Sequence, residues 1–240
     1  MMQTAPHVDD TQNDALSQQL LRMMQGYFLT QVVHVFATLS IADFLADGPK
    51  TSDALARLAA TDHDALRRLL RTAVGFGLLD EPSPDRFVLL PLGALLRTGA
   101  TGSLRDYIIA MVGPSFWQSW GQLEQAIRYG KDTFADVLGM NIWDYYAQHP
   151  DEARHFANAM GNVSAVVADA VVAQYDFSAC RKIVDVGGSH GRLLAALLRA
   201  NPAARGVLFD RPNVIAEARE IIHGFGLNGR VELAEGDFFE

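Results

Sequence analysis

The stretch that most constrains this chain of 240 residues is Arg181-Lys182-Ile183-Val184-Asp185-Val186-Gly187-Gly188-Ser189-His190-Gly191-Arg192-Leu193-Leu194. An apolar run carrying one acid stops at a glycine-rich turn, and a leucine- and alanine-rich helical pattern follows. A buried parallel strand feeding a tight loop and a crossover helix reads this way. Glycines suit such a turn because it needs unusual φ angles and lets a ligand approach bare backbone. The stretch is a nucleotide-type binding loop.

Two more strand candidates follow. Helix Arg192 to Ala200 stops at Asn201-Pro202, and Gly206-Val207-Leu208-Phe209-Asp210 is a second buried strand ending in a carboxylate. Pro212 starts a helix to His223, and Arg230 to Ala234 leads to Gly236-Asp237-Phe238-Phe239. This alternation predicts the first half of a doubly wound, Rossmann-like α/β sheet with right-handed crossovers, which binds ligands at the carboxyl ends of its strands. Gly187 to Gly191, Asp210 and Asp237-Phe238 are therefore expected to share one crevice.

A dinucleotide fingerprint ending on Gly191 would need glycine where Val186 stands, which weakens a pyrophosphate reading. Asp210 follows the loop by about twenty residues, where a carboxylate accepts from both ribose hydroxyls. Asp237 suits an exocyclic adenine amine and Phe238 a purine face. A ribose-plus-adenine site beside a phosphate-free loop fits S-adenosylmethionine.

The upstream chain reads as helices. Residues 1–13 are expected to be a disordered lead-in. From Asp14 to Ala46 apolar residues recur at helical spacing too densely for one exposed face, which predicts burial within the chain or against a second copy. Thr51 caps a helix from Ser52 to Ala60, and another runs from His63 to Val74. Leu78-Leu79 and Phe87 to Leu90 flank a turn at Glu81 to Arg86. Helix, turn, helix and two-stranded wing make a winged-helix pattern. Arg67, Arg68 and Arg71 would face DNA in its recognition form, but acids surround them and phosphate contacts need clustered cations. A packing or dimerisation module is the favoured reading.

Further helices are expected at Pro91 to Arg97, Ser103 to Val112, Pro114 to Tyr129 and Ile142 to Gln148, with a loop from Gly130 to Gly139. A long one runs from Pro150 to about Tyr175, with an apolar stripe of Phe156, Met160, Val163, Val167 and Val171. Apolar content of 49% supports a packed core, and the net charge of −8 argues against a mainly nucleic-acid-binding protein. The single cysteine excludes an internal disulfide, so a cytoplasmic home is expected. Val163 to Ala173 is short and carries Asp169, so no membrane span is expected. No metal-ligand spacing is visible.

The chain resembles the two-domain, small-molecule O-methyltransferases of the plant caffeate and chalcone type and the bacterial antibiotic and phenazine type. The resemblance rests on Val184 to Gly191, Phe209-Asp210-Arg211-Pro212 and Gly236 to Phe239. Upstream it includes Trp117 to Leu123, Trp143 to Tyr146 and Phe156 to Met160. It implies an α/β fold in three parts: an N-terminal all-α winged-helix dimerisation domain (14–100), helices of a linker and acceptor pocket (101–176), and the first half of the methyltransferase sheet (177–240). It also implies a homodimer through the N-terminal helices that methylates a hydroxyl of a small aromatic or polyketide-like metabolite, while charge and composition give the expectation of no nucleic-acid and no membrane partner.

Carried over by position, Gly187, Asp210, Asp237 and Phe238 would hold S-adenosylmethionine, with Ser164 near its amino-acid end. Phe156, Met160, Trp117, Ile142 and Tyr146 would line the acceptor pocket. Ser189 stands where the family usually has a third glycine, and Arg211 where an apolar residue is usual. The family continues through four more strands and a general-base histidine past Gly236 to Phe239, so no catalytic residue is assigned among the 240. His149, His155, His190 and His223 are expected to be structural or solvated. The expectation is a shortened or split copy that binds the cofactor poorly and does not turn over alone. Alternatives are a relative with different chemistry, such as hydroxylation or decarboxylation, and a winged-helix regulator.

Overall fold

A computed structural model describes residues 10–238, and the chain divides into two compact units, residues up to 98 and from 99 onward. Phe239 and the lead-in's residues 1–9 lie outside the described residues.

The first unit comprises α1 (Asp10–Thr38), α2 (Ile41–Phe44), α3 (Ser52–Ala59), α4 (His63–Gly75), β1 (Leu79–Ser83), β2 (Arg86–Leu89) and α5 (Pro91–Ala94). Two expectations need correction. Residues 10–13 are the first turn of α1 rather than a disordered lead-in. The helix expected over 14–46 breaks at Ser40, whose φ of 55° is left-handed and separates α1 from α2. Leu20, Met23, Met24 and Phe28 are exposed, whereas Phe36 and Ala37 are fully buried. Only the C-terminal part of α1 therefore belongs to this unit's core.

Both helices after α2 start on side-chain caps, which contribute about 1 kcal/mol each. The Ala54 amide donates to Thr51 Oγ1 at 3.3 Å, and the Ala65 amide donates to Asp62 at 2.8 Å. Leu66, Leu70 and Ala73 form the buried stripe of α4. β1 and β2 pair antiparallel, and Lys50 bridges to Phe87 beside them. Of the three arginines on α4, Arg67 Nε lies 3.8 Å from Asp85 and Arg71 Nε 3.5 Å from Glu81. The winged-helix shape here spends two of its cations on its own wing.

The second unit holds α6 (Arg105–Val112), α7 (Pro114–Trp120), α8 (Leu123–Tyr129), α9 (Phe134–Leu138), α10 (Ile142–Gln148) and α11 (Pro150–Gln174). Then follow β3 (Lys182–Val186), α12 (Arg192–Ala200), β4 (Arg205–Asp210), α13 (Pro212–Gly224) and β5 (Val231–Glu235). The helix expected from Pro114 to Tyr129 is two, separated at Gly121-Gln122, and the expected Gly130–Gly139 loop contains α9. Asn141 caps α10 as expected, accepting from the amides of Trp143 and Asp144 at 3.0 Å.

α11 packs along α6 and α12. Its stripe is less buried than expected, with Val163 46% and Val167 49% exposed. As a whole, α11 is long and apolar enough to cross a membrane by length and composition, so judging only Val163 to Ala173 understated the apolar run.

The sheet is parallel in the order β3-β4-β5, with Val186 opposite Phe209 and Asp210 opposite Glu235. α12 and α13 supply Leu194, Leu198, Ile215 and Ile222 to a core that also encloses Leu208. Burying each such side chain is worth about 1.5–3 kcal/mol. Arg230 locks the far end of α12, its Nη2 donating to the carbonyls of Leu198, Asn201 and Ala204 at 2.8–2.9 Å. Val184 and Val186 of β3 remain 55% and 57% exposed, and β3 pairs with no strand other than β4 among the described residues.

Candidate functional site

The three strand ends converge. The Gly187 amide donates to the Phe209 carbonyl at 2.9 Å, and the Gly236 amide to the Asp210 carbonyl at 3.0 Å. The Asp210 carboxylate is gripped by backbone, accepting from the Ser189 amide at 2.8 Å on Oδ2 and from the Arg211 amide at 2.8 Å on Oδ1. A carboxylate oxygen accepts two hydrogen bonds, so each retains one position for a ligand hydroxyl.

The glycines of the loop have different reasons to be there. A Cβ on Gly188 would fall 2.5 Å from Leu208 Cδ1 and 2.6 Å from Asp185 Cγ, so packing alone excludes a side chain. At Gly187, with φ of 69°, an added Cβ would meet only Phe238 Cε1, at 3.7 Å. Open backbone beside an aromatic ring is the close approach a ligand needs. Phe238 itself is 61% exposed. Gly187, Asp210 and Phe238 thus meet, with Asp237 beside Phe238 in the chain.

Below the loop, Asp185 Oδ2 is enclosed without a hydrogen-bond partner, and burial pushes its carboxyl above the ordinary carboxylate range. Arg192 Nε is likewise enclosed and unpartnered. His190 is 5% exposed with an unpartnered Nδ1, and burial lowers its pKa. Open backbone at Gly187 and two free positions on the Asp210 carboxylate fit a nucleoside.

The expected acceptor residues lie on α7, α10 and α11. Phe156 is 5.1 Å from Tyr146, ring centre to ring centre, and Met160 is one helical turn beyond on α11. Ile142 is half-buried at the start of α10, Trp117 half-buried on α7, and Ser164 half-buried one turn after Met160. The nest has members that sequence reasoning did not assign. Phe116 stacks on Phe156 at 6.4 Å and meets Phe134 edge-on at 5.2 Å, while Trp143 meets Phe156 edge-on at 5.9 Å. The pairing of Trp143 with Tyr146 within one short helix was the available signal for Trp143. Phe116 and Phe134 join through tertiary packing and had none.

Polar groups fix this nest from behind. Glu152 accepts from Tyr145 at 2.8 Å and from Ser115 at 3.0 Å, tying α11 to α10 and α7. Burial, then Glu152, pushes the Tyr145 hydroxyl up to about 12. Burial also raises the pKa of Tyr146. Both phenols therefore stay protonated near neutrality, and Tyr145 donates to Glu152. Among the other histidines, His149 stacks on Tyr145, His155 pairs with Asp106 at 2.6 Å, and His223 lies 3.0 Å from Asn228. Arg211, which stands where an apolar residue is usual, reaches Asp144 of α10 at 3.0 Å. A concavity of about 770 Å³ at α7 to α9 contains none of the expected site residues.

A helical, winged N-terminal unit and an α/β unit with a nucleoside-type crevice define a two-domain enzyme class. Two family models match: an O-methyltransferase dimerisation domain over residues 21–99 and an O-methyltransferase domain over residues 120–240. This chain belongs to the O-methyltransferase family. It is 38% identical over 224 residues to phenazine O-methyltransferase PhzM of Lysobacter antibioticus, covering 93% of this chain and 65% of that protein. The mitomycin 7-O-methyltransferase MmcR superposes with a TM-score of 0.90 at 35% identity, over 96% of this chain and 68% of that one. CalO1, a methyltransferase of calicheamicin biosynthesis solved with SAH bound, gives 0.72 at 31% identity, over 97% and 68%. The chain spans 62–65% of the length of the first curated relatives it matches.

Proposed function

We propose that the protein to which these residues belong transfers the methyl group of S-adenosylmethionine to a hydroxyl of a small, flat, aromatic or polyketide-like molecule. The observation that carries this reading is the Ser189–Asp210 hydrogen bond, which fastens a carboxylate to the glycine loop whose backbone lies open at Gly187 beside Phe238. In this reading Asp210 receives the ribose hydroxyls, Asp237 and Phe238 the adenine, and Ser164 lies near the amino-acid end. Phe156, Met160, Tyr146, Trp117 and Ile142 wall the acceptor, joined by Trp143 and Phe116. The exposed apolar residues of α1, within the matched dimerisation domain, make the contact with a second copy.

The cofactor supplies an activated methyl group on a sulfonium centre. This chain's own residues contribute proximity and orientation, holding an acceptor against α10 and α11 and excluding water with aromatic side chains. No residue of the chain is assigned as base, and the protonated phenol of Tyr145 donates to Glu152 and keeps the nest in shape.

The test is titration of the purified chain with S-adenosylhomocysteine by calorimetry. A second assay incubates methyl-labelled S-adenosylmethionine with hydroxylated phenazines, quinones and naphthoates. Saturable, weak binding and, in any longer form of the protein that turns over, label on an acceptor oxygen are the expected results. Absence of saturable binding, or label-free oxidised or decarboxylated product, would sink the reading.

A further inference from the structure

Three basic side chains stand at the glycine loop and the strand end beside it: His190, Arg192 and Arg211. Arg211 is engaged with Asp144. His190 is enclosed and held toward its neutral form by burial. Arg192, the first residue of α12, is different. Its Nε is sealed from solvent without a partner, and the guanidinium makes no ion pair or hydrogen bond among the described residues. Its Nη atoms are not among the enclosed ones, so they are the face of the guanidinium that can meet an anion.

Its seat is specific. Arg192 lies across α11 at Gly161, where an added Cβ would come within 2.7 Å of Nε and 3.0 Å of Cδ. Gly161 is buried, and the next turn of α11 carries Ser164. The guanidinium therefore sits where the end of the glycine loop meets the long helix. If Asp210 and Phe238 fix the adenosine, the remainder of the ligand extends along the loop toward this corner. That remainder is an α-amino acid head, with a carboxylate that a planar guanidinium recognises in bidentate fashion.

We propose that Arg192, seated on Gly161, is the carboxylate anchor for the amino-acid end of the cofactor. The assignment rests on the S-adenosylmethionine reading above. It adds a residue that selects the complete cofactor over adenosine-like molecules lacking the amino acid. Gly161 is part of the device, because any side chain there displaces the arginine.

The experiment compares S-adenosylhomocysteine with 5′-methylthioadenosine, which keeps the adenosine and lacks the amino-acid head. Affinities are measured on the wild-type chain, Arg192→Met, Arg192→Lys and Gly161→Ala. Losing a charge-assisted anchor is expected to weaken S-adenosylhomocysteine binding by about tenfold or more in Arg192→Met. Methylthioadenosine binding should stay unchanged, which also reports that the variant is folded. Arg192→Lys should retain part of the preference, and Gly161→Ala should lose it although the cation is still present. An unchanged ratio of the two affinities in Arg192→Met would overturn the assignment while leaving the nucleoside site standing. Failure of the wild-type chain to bind either molecule would overturn the cofactor reading, and this inference with it.

Discussion

The Ser189 amide donates to Asp210 Oδ2 at 2.8 Å, so the glycine loop and the end of β4 are one unit. With the Arg211 amide on Oδ1 at the same distance, both carboxylate oxygens are oriented before any ligand arrives. Asp210→Asn keeps the shape but replaces one acceptor with a donor, which must face a backbone N–H. The expected cost is about 1–3 kcal/mol of stability. S-adenosylhomocysteine affinity is expected to fall about tenfold, because one ribose hydroxyl also loses its acceptor. Denaturant melts and calorimetry read the two effects, and an asparagine variant binding like wild type would remove Asp210 from the site.

Ser189 occupies a left-handed conformation, with φ of 50°, at the position where glycine is usual in the family it resembles. Left-handed backbone costs an L-residue about 1–2 kcal/mol, and glycine's extra unfolded-state entropy returns about 0.5–1 kcal/mol of that. Ser189→Gly is therefore expected to stabilise the chain by about 0.5–1 kcal/mol. The amide that grips Asp210 is retained, so ligand affinity should not fall. A variant that melts lower than wild type would contradict this account of the loop.

Much of this site was legible because its signals are local in sequence. An apolar run, a glycine turn and a carboxylate at the next strand end are each contained in a few residues, and parallel-sheet topology brings them together. The aromatic nest was legible only where one helix carried its parts, as with Phe156 and Met160. Phe134 sits on a helix of five residues, too short for periodicity to show, and reaches Phe116 only through tertiary packing. The orphaned Arg192 was invisible for the same reason, since nothing in sequence relates it to Gly161. The break at Ser40 carried no glycine or proline to announce it. The partner of Arg211, Asp144, is remote in sequence, so nothing local announced that contact.

His190 supplies a pH dependence with a definite sign. Burial lowers its pKa most; Glu217 and Asp210 oppose the shift, and Arg192 reinforces it. The unfolded chain then takes up a proton before the folded one as pH falls below the ordinary histidine value of about 6.5. Stability is complete above that value and declines as pH falls through the folded pKa. His34 is shifted in the same direction by burial and adds to the slope. His190→Gln should melt with a smaller drop between pH 7.5 and 5.5 (roughly one unit either side of that value) than wild type does. An equal drop would mean that His190 is not the group responsible.

The Arg211–Asp144 contact ties the residue after Asp210 to α10. The Arg211 bond is the main reason Asp144 titrates below its ordinary value, and Asn141 adds a second bond at 2.7 Å. Both side chains are well exposed, so an ion pair here contributes little to global stability. Its consequence is local: α10 is short, and this contact joins it to the end of β4. Arg211→Leu restores an apolar residue at that position and should leave the melting temperature nearly unchanged. Amide hydrogen exchange over residues 142–148 should accelerate, while exchange over α12 stays the same. If α10 remains as protected as in wild type, Glu152 and the aromatic nest alone hold α10, and it is not coupled to the end of β4 through Arg211.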